Sequence, residues 1–177
     1  MTDSGPAPHR LETARLLLTP LGPGDFAEMR RLHGDPTAMV TLSADGRPFG
    51  EVATSGFLER CASHWVDHGV GVWSVRRKQD GDWIGYAGVR SRPADAASCG
   101  DWELIYGLIP AAWGGGFAAE AARVALDDAM VRLGVTGVVC YTLWSNLASQ
   151  GVMRKLGFRG AEPILHAGLP HVLMRLG

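Results

Sequence analysis

Two short stretches of this chain combine residue types that could hold an anion and move a proton. The first is Trp113-Gly114-Gly115-Gly116-Phe117-Ala118-Ala119, which follows an alternating apolar run and leads into an alanine-rich one. This reads as a strand, a glycine turn and the start of a helix. Free amides at a helix start point outward, and the helix dipole adds partial positive charge there. Glycines let a phosphate approach the backbone closely, so such a turn can bind an anion without a lysine. No Gly-Lys-Ser/Thr follows, which excludes a Walker loop, and the spacing is not Gly-x-Gly-x-x-Gly. A glycine run alone is equally consistent with a plain surface turn.

The second stretch runs from Asn146 through Ser149 to Leu156-Gly157-Phe158. Asn146 suits a helix cap, and Ser149 lies in the first turn after it. Leu156 and Phe158 flank a glycine stop, the pattern of a helix end against a core. Two further groups carry less. His64 and His68 are spaced i, i+4 with Asp67 between them, half of a metal site, but no third ligand is evident and no metal is expected. They read as a solvated helix face or as a pocket wall. The cysteines are Cys61, Cys99 and Cys140, odd in number and far apart, with no Cys-x-x-Cys pair. That argues against a disulfide framework or zinc ribbon and for a reducing, cytoplasmic setting. Cys140 sits mid-strand among apolar residues and reads as core, not as a nucleophile.

The elements that must position these residues can be read from periodicity and punctuation. Arg15 to Thr19 predicts a first strand, and Asp25 to His33 a helix that opens in a capping-box-like manner with Asp25 and Glu28. Residues 37–53 read as turns. A second helix is expected from Thr54 or Ser55 to His68, stopped by Gly69. Val70 to Arg77 and Trp83 to Arg90 form a hairpin around Gln79-Asp80-Gly81-Asp82, and residues 91–100 read as a loop. Asp101 to Ile109 is the next strand, followed by the helix from the glycine turn to Leu133. Val135 to Leu143 is a strand, the helix capped at Ser145 or Asn146 follows, and Pro163 to His166 with His171 to Leu176 closes the chain.

The fold class implied is α/β (α+β), a mixed sheet with helices packed against it. The 177 residues suit one domain over 11–177, with residues 1–10 as a loose polar tail. Net charge is −1, so no one-signed field advertises nucleic acid or anionic lipid as a partner. No apolar run reaches the roughly 20 residues a membrane span needs, and no secretory leader is visible.

Taken together, the two stretches resemble the GNAT superfamily of acetyltransferases. Trp113-Gly114-Gly115-Gly116-Phe117-Ala118 stands where that family has its pyrophosphate-binding turn Arg/Gln-x-x-Gly-x-Gly/Ala, with Trp113 in place of Arg or Gln. The Rim-type branch, which acetylates ribosomal-protein N-termini, is similar over Glu103 to Ala122, over Asn146-x-x-Ser149 and over Leu156-Gly157-Phe158. Leu11-Glu12-Thr13-Ala14-Arg15-Leu16 matches its opening Leu-x-Thr-x-Arg-Leu. The resemblance spans about residues 11–176. It implies a mostly antiparallel central sheet flanked by about four helices.

The resemblance also implies acetyl-CoA as co-substrate and a primary amine as acceptor, either a peptide N-terminus or a small molecule. Backbone groups of Tyr106, Gly107 and Leu108 are expected on the pantetheine arm and acetyl carbonyl. The amides of Gly114, Gly115, Gly116, Phe117, Ala118 and Ala119 are expected on the diphosphate, Asn146 on the pantetheine, and Ser149 near the sulfur. Glu103 is the first candidate for proton acceptor and Asp101 the second; a structural ion pair with an arginine is the alternative for Glu103. Ile105 and Gly107 replace the branch's Gly and Trp, and Gly115 replaces a commonly basic residue. Met153 stands where many members have a tyrosine acid, which favours Ser149 or solvent as proton donor. Homodimerisation remains compatible. An antibiotic, polyamine or amino-acid acceptor, or a non-catalytic acyl-CoA sensor, are the competing readings.

Overall fold

The computed structural model describes residues 10–92 and 102–177. The chain begins with β1 (Leu11–Glu12) and β2 (Leu16–Pro20), followed by α1 (Phe26–His33), α2 (Pro36–Leu42) and α3 (Glu51–His68). The strands β3 (Val72–Arg77), β4 (Trp83–Ser91) and β5 (Trp102–Leu108) come next, then α4 (Phe117–Leu133). The chain ends with β6 (Val138–Leu143), α5 (Leu147–Leu156), β7 (Phe158–His166) and β8 (Leu169–Leu176). One eight-stranded sheet has the order β1-β2-β3-β4-β5-β6-β8-β7. Every neighbouring pair is antiparallel except β5 and β6.

The expected mixed, mostly antiparallel sheet is present, with five described helices where about four were expected. The additional one is α2, in the stretch read as turns. Pro36 follows the first predicted helix closely and reads as its stop, but it occupies the first turn of a new helix, where its missing N–H costs nothing. Asp35 caps that helix, its carboxylate accepting from the amides of Thr37 and Ala38 at 2.8 and 3.0 Å. Asp25 behaves differently from the expected capping box of α1. Its carboxylate accepts from the Gly22 amide and the Ser74 hydroxyl, which ties the entry of α1 to β3. The last two strands are longer than periodicity suggested, since most of β7 is exposed and lacks an alternating apolar pattern.

The core lies between the sheet and its helices. Leu16, Leu18, Trp73, Val75, Ile84, Ala87 and Leu104 are buried on the sheet, and Leu58, Trp65, Ala122, Leu126 and Ala129 on the helices. The alanine stripe of α4 lets that helix lie close over β4, where small side chains on both surfaces meet. Cys61 and Cys140 are both buried and free, in keeping with a core role. Cys99, Asp101 and all but the last residue of the expected tail lie outside the described residues. No helix among the described residues is long and apolar enough to cross a membrane.

The contact between α1 and α3 contains a titratable group. His33 is 2% exposed and packs edge-on against Phe49 and Phe57. Thr54 Oγ1 donates to Gly50 O, so it accepts from His33 Nδ1 at 3.1 Å. Burial, with the nearby Arg30, holds the His33 pKa down at about 4 against an ordinary 6.5. A lowered pKa means that the folded state prefers the neutral ring. The stabilisation is complete above pH 6.5 and is lost as pH falls through the window toward 4. The folded protein should lose about 2 kcal/mol from this group between pH 7 and pH 5. His33→Gln should remove that share of the acid slope in urea unfolding. Parallel slopes for the two proteins would refute the assignment.

Candidate active site

A gap opens in the middle of the sheet. β5 and β6 pair only at Trp102↔Val138 and Glu103↔Val139, and then diverge. Beyond that point β5 keeps its partner on one side only, β4, through Leu108. The amide of Trp102 donates to Gly137 O on the β6 side, whereas that of Ile109 donates to Ile84 O on the β4 side. With a period of two, the backbone groups of Leu104, Tyr106 and Leu108 turn to the gap and those of Gly107 turn to β4. The expected trio of Tyr106, Gly107 and Leu108 therefore reduces to Tyr106 and Leu108. Leu108 O already accepts from the Trp113 indole at 2.9 Å. Gly107 has a packing reason of its own. A Cβ there would meet the Tyr86 ring at 2.9 Å, so Tyr86 fills the space beside Gly107.

Gly114, Gly115 and Gly116 sit at the end of β5 that borders the gap. Gly114 and Gly116 both have φ of 77°, a conformation natural to glycine, and Gly116 is the N-cap of α4 with no side-chain capping bond. The amides of Phe117, Ala118 and Ala119 form the helix start. Arg15, from the turn between β1 and β2, lies against this loop. Its Nη1 donates to Gly115 O at 2.9 Å, and its guanidinium lies 4.4 Å from the centre of the Phe117 ring. Glu120, in the first turn of α4, holds the guanidinium at 2.6 Å and also accepts from the Thr13 hydroxyl. Sequence reasoning missed Arg15 as a site residue. The signal was present in Thr13-x-Arg15, whose two side chains converge on Glu120.

On the far side of the gap, Asn146 caps α5 by accepting from the Ser149 amide at 3.1 Å. The Tyr106 side chain reaches across from β5, and its hydroxyl lies 2.8 Å from Ser149 Oγ and 3.0 Å from Ser149 O. Burial pushes the Tyr106 phenol well above its ordinary range, so it stays protonated. Met153 is fully buried and contributes only packing.

The other face of the diverging strands opens into a cavity of 630 Å³. Glu103 lines it, 5% exposed, and accepts from Arg90 Nε at 3.0 Å across the β4–β5 register. Tyr141 stands opposite on β6; burial first, and then the Glu103 carboxylate, push its phenol up to about 12. His64 reaches the same cavity from α3. Its Nδ1 contacts Val70 O at 2.7 Å, and its Nε2 accepts from the Ser91 amide at 2.9 Å. Both nitrogens are thus engaged in a neutral ring whose pKa burial lowers. His68 stacks beside it. No cluster of three or more metal-ligating side chains occurs among the described residues.

Residues 15–159 match the family model described as the acetyltransferase (GNAT) domain. The chain belongs to the GNAT acetyltransferase family. It is 30% identical over 155 residues to FsC-acetyl coenzyme A-N(2)-transacetylase of Aspergillus fumigatus, covering 86% of this chain and 66% of that protein. The chain thus spans slightly under two thirds of that relative's length. The acetyltransferase from Agrobacterium tumefaciens str. C58 superposes with a TM-score of 0.77 at 26% identity, covering 96% of this chain and 94% of the other. The ribosomal-protein-S5-alanine acetyltransferase from Vibrio fischeri superposes with a TM-score of 0.70 at 15% identity, covering 94% and 95%. At that identity the likeness shows a shared fold and does not single out the Rim-type branch.

The GNAT site fits a CoA diphosphate at the glycine turn. Nothing lies within 4 Å of a Cβ built on Gly114, and the one group near a Cβ on Gly116 is Arg15 Nη2 at 3.6 Å. The turn is therefore open on its outer side and bordered by a cation. Gly81 offers a matched control, with φ of 74° and nothing near its Cβ. Backbone strain from an aspartate should be alike at the two positions, so a difference reports the ligand. Gly116→Asp should weaken CoA binding at least tenfold in calorimetry and Gly81→Asp should not. Equal affinities in two folded variants would remove the phosphate site.

Proposed function

We propose that this chain transfers an acetyl group from acetyl-CoA directly to a primary amine, within one ternary complex and without a metal. The observation that carries the reading is the gap between β5 and β6. It has an anion-binding helix start on one side and a cavity of 630 Å³ on the other, a size suited to a small molecule or a peptide end. The amides of the glycine turn and the first turn of α4 hold the diphosphate, with Asn146 beside the pantetheine. The β5 amides that face the gap polarise the thioester carbonyl and stabilise the oxyanion.

An amine attacks only as the neutral base, so its proton must leave first. Glu103 or a water bonded to it is the acceptor in this proposal. Because Arg90 holds Glu103 in an ion pair, relay through water fits better than direct contact. The amine nitrogen then bonds to the carbonyl carbon and gives up its second proton to solvent, the carbon–sulfur bond breaks, and the thiolate takes a proton from Ser149, which solvent replaces. The Tyr106 hydroxyl, 2.8 Å from Ser149 Oγ, holds that donor in place. A peptide N-terminus and a small amine share this chemistry. A cytoplasmic enzyme with ready access to acetyl-CoA is the setting we infer.

The test is thiol release from acetyl-CoA, with EDTA present, over a panel of peptides and amines. At least one acceptor should drive release. Failure of every amine alongside retained CoA binding would favour the sensor reading. Ser149→Ala should lower turnover about 10- to 100-fold with little change in CoA affinity, since general acid catalysis contributes roughly 10²–10⁴-fold. The variant should keep its fold because Ser149 O still accepts from Tyr106. Unchanged turnover at saturating acceptor would reduce Ser149 to a helix-start residue.

A further inference from the structure

The described lining of the cavity on the acceptor side is rich in cations. Arg60 from α3, Arg90 from β4 and Arg92, the residue after β4, line it beside the one described carboxylate, Glu103. Arg90 engages Glu103 through Nε alone, so its two terminal nitrogens meet no protein acceptor among the described residues. Arg60 is exposed on α3 and makes no hydrogen bond or ion pair among the described residues. The Arg92 guanidinium lies 5.2 Å from the centre of the Tyr141 ring, on the same wall. Glu59 and Asp67 share an adjoining groove on α3 with Arg60 and His64 but do not line this cavity. The remaining lining is largely apolar, including Phe57, Ile164 and Leu165.

We infer that the acceptor is a primary amine whose molecule also carries a carboxylate, held by Arg60 and the terminal nitrogens of Arg90. This inference rests on the proposed amine acetylation. Guanidinium groups pair with carboxylates in a fixed two-bond geometry, and Arg90 presents that edge with its Nε already anchored. The same cations do a second job. A positive wall disfavours the ammonium form of a bound amine and so raises the share of neutral nucleophile near pH 7. A polycation such as a diamine meets like charge there and is rejected, which is selection by repulsion as well as attraction.

The acceptor could be a free ω-amino acid or a peptide with an acidic residue near its N-terminus. The experiment separates the two. With saturating acetyl-CoA, thiol release is compared for 6-aminohexanoate, hexylamine and 1,6-diaminohexane, and for the amidated peptides Ala-Glu-Ala and Ala-Lys-Ala. The acid should exceed hexylamine in kcat/KM by about tenfold or more, and the diamine should be poorest, an energetic preference of about 1.4 kcal/mol or more. Preference for the acidic member in only one series identifies the source. Arg60→Ala should collapse the ratio of acid to hexylamine, Arg60→Lys should restore part of it, and Arg60→Glu should turn the preference toward the diamine. A merely structural arginine would scale all acceptors alike. Hexylamine or the diamine matching the acid overturns this inference and leaves amine acetylation standing. Release with no amine of any charge overturns both.

Discussion

The parting of β5 from β6 is the constraint on which the rest of the structure depends. A sheet interior normally pairs every amide and carbonyl, and an unpaired buried group is costly. Here β5 gives up its second partner after Glu103, while β4 still holds its other edge through Leu108. The strand thus keeps its pairing along one edge while one row of its backbone groups turns to open space. The protein spends part of that row itself. Trp113 donates its indole to Leu108 O, which pins the start of the glycine turn to the end of the strand. What is left, chiefly around Tyr106, is a short strand edge of the kind an extended ligand can pair with. The gap is kept open by elements on either flank. α4 packs over β4 and β5 on one side of the break, and α5 packs on α4 while following β6 on the other.

This division gives the two faces of the sheet different electrostatic tasks. On the α4 face the cation is tethered: Arg15 is held by Glu120 while donating to Gly115 O. A guanidinium in that position braces the loop conformation and adds positive potential near the helix start. Its charge is largely balanced by Glu120, so in the proposed site the helix amides are the main anion donors. On the α3 face the balance is reversed. Among the described residues, three arginines and one carboxylate line one cavity. The ion pair of Arg90 and Glu103 connects both tasks, because the two residues oppose each other in the β4–β5 register just where β5 leaves β6.

The parts of this arrangement legible in the sequence were those encoded locally. The glycine turn, the cap Asn146 and the stops at Gly69, Gly134 and Gly157 are contiguous signals, and each lies within a residue or two of its expected place. The bounds of β4 followed from the hairpin turn that precedes it, and those of β5 from alternation. Pro36 misled because a proline after a glycine is the same signal for a helix end and for a new first turn, and only the cap at Asp35 tells them apart. The site was harder to read because its contacts are long-range. Arg15 and Glu120 are 105 positions apart, and Tyr106 and Ser149 are 43 apart. Motif reading had singled out Tyr106 and Ser149 without showing that they meet, and had singled out neither Arg15 nor Glu120. Gly107 looked like a lost tryptophan until Tyr86, on the neighbouring strand, was seen to fill the space beside it.

The meeting of Tyr106 with Ser149 also changes how Met153 reads in the proposed mechanism. A tyrosine at that position would project its hydroxyl from α5, whereas here the phenol comes from β5 and crosses the gap in the opposite direction. Met153 is fully buried and can pack beneath α5 without a polar group to satisfy, which an apolar core favours. The phenol still reaches the first turn of α5, next to the group proposed to protonate the thiolate. Burial keeps Tyr106 in its neutral form, so it can exchange hydrogen bonds with Ser149 without becoming an anion. Ser149 in turn has its amide fixed by Asn146 and its hydroxyl fixed by Tyr106, one hold from each side of the break. In the proposed mechanism a serine, ordinarily a mobile rotor, thus becomes a positioned donor, and the two bonds between Tyr106 and Ser149 tie α5 to β5 across the opening in the sheet.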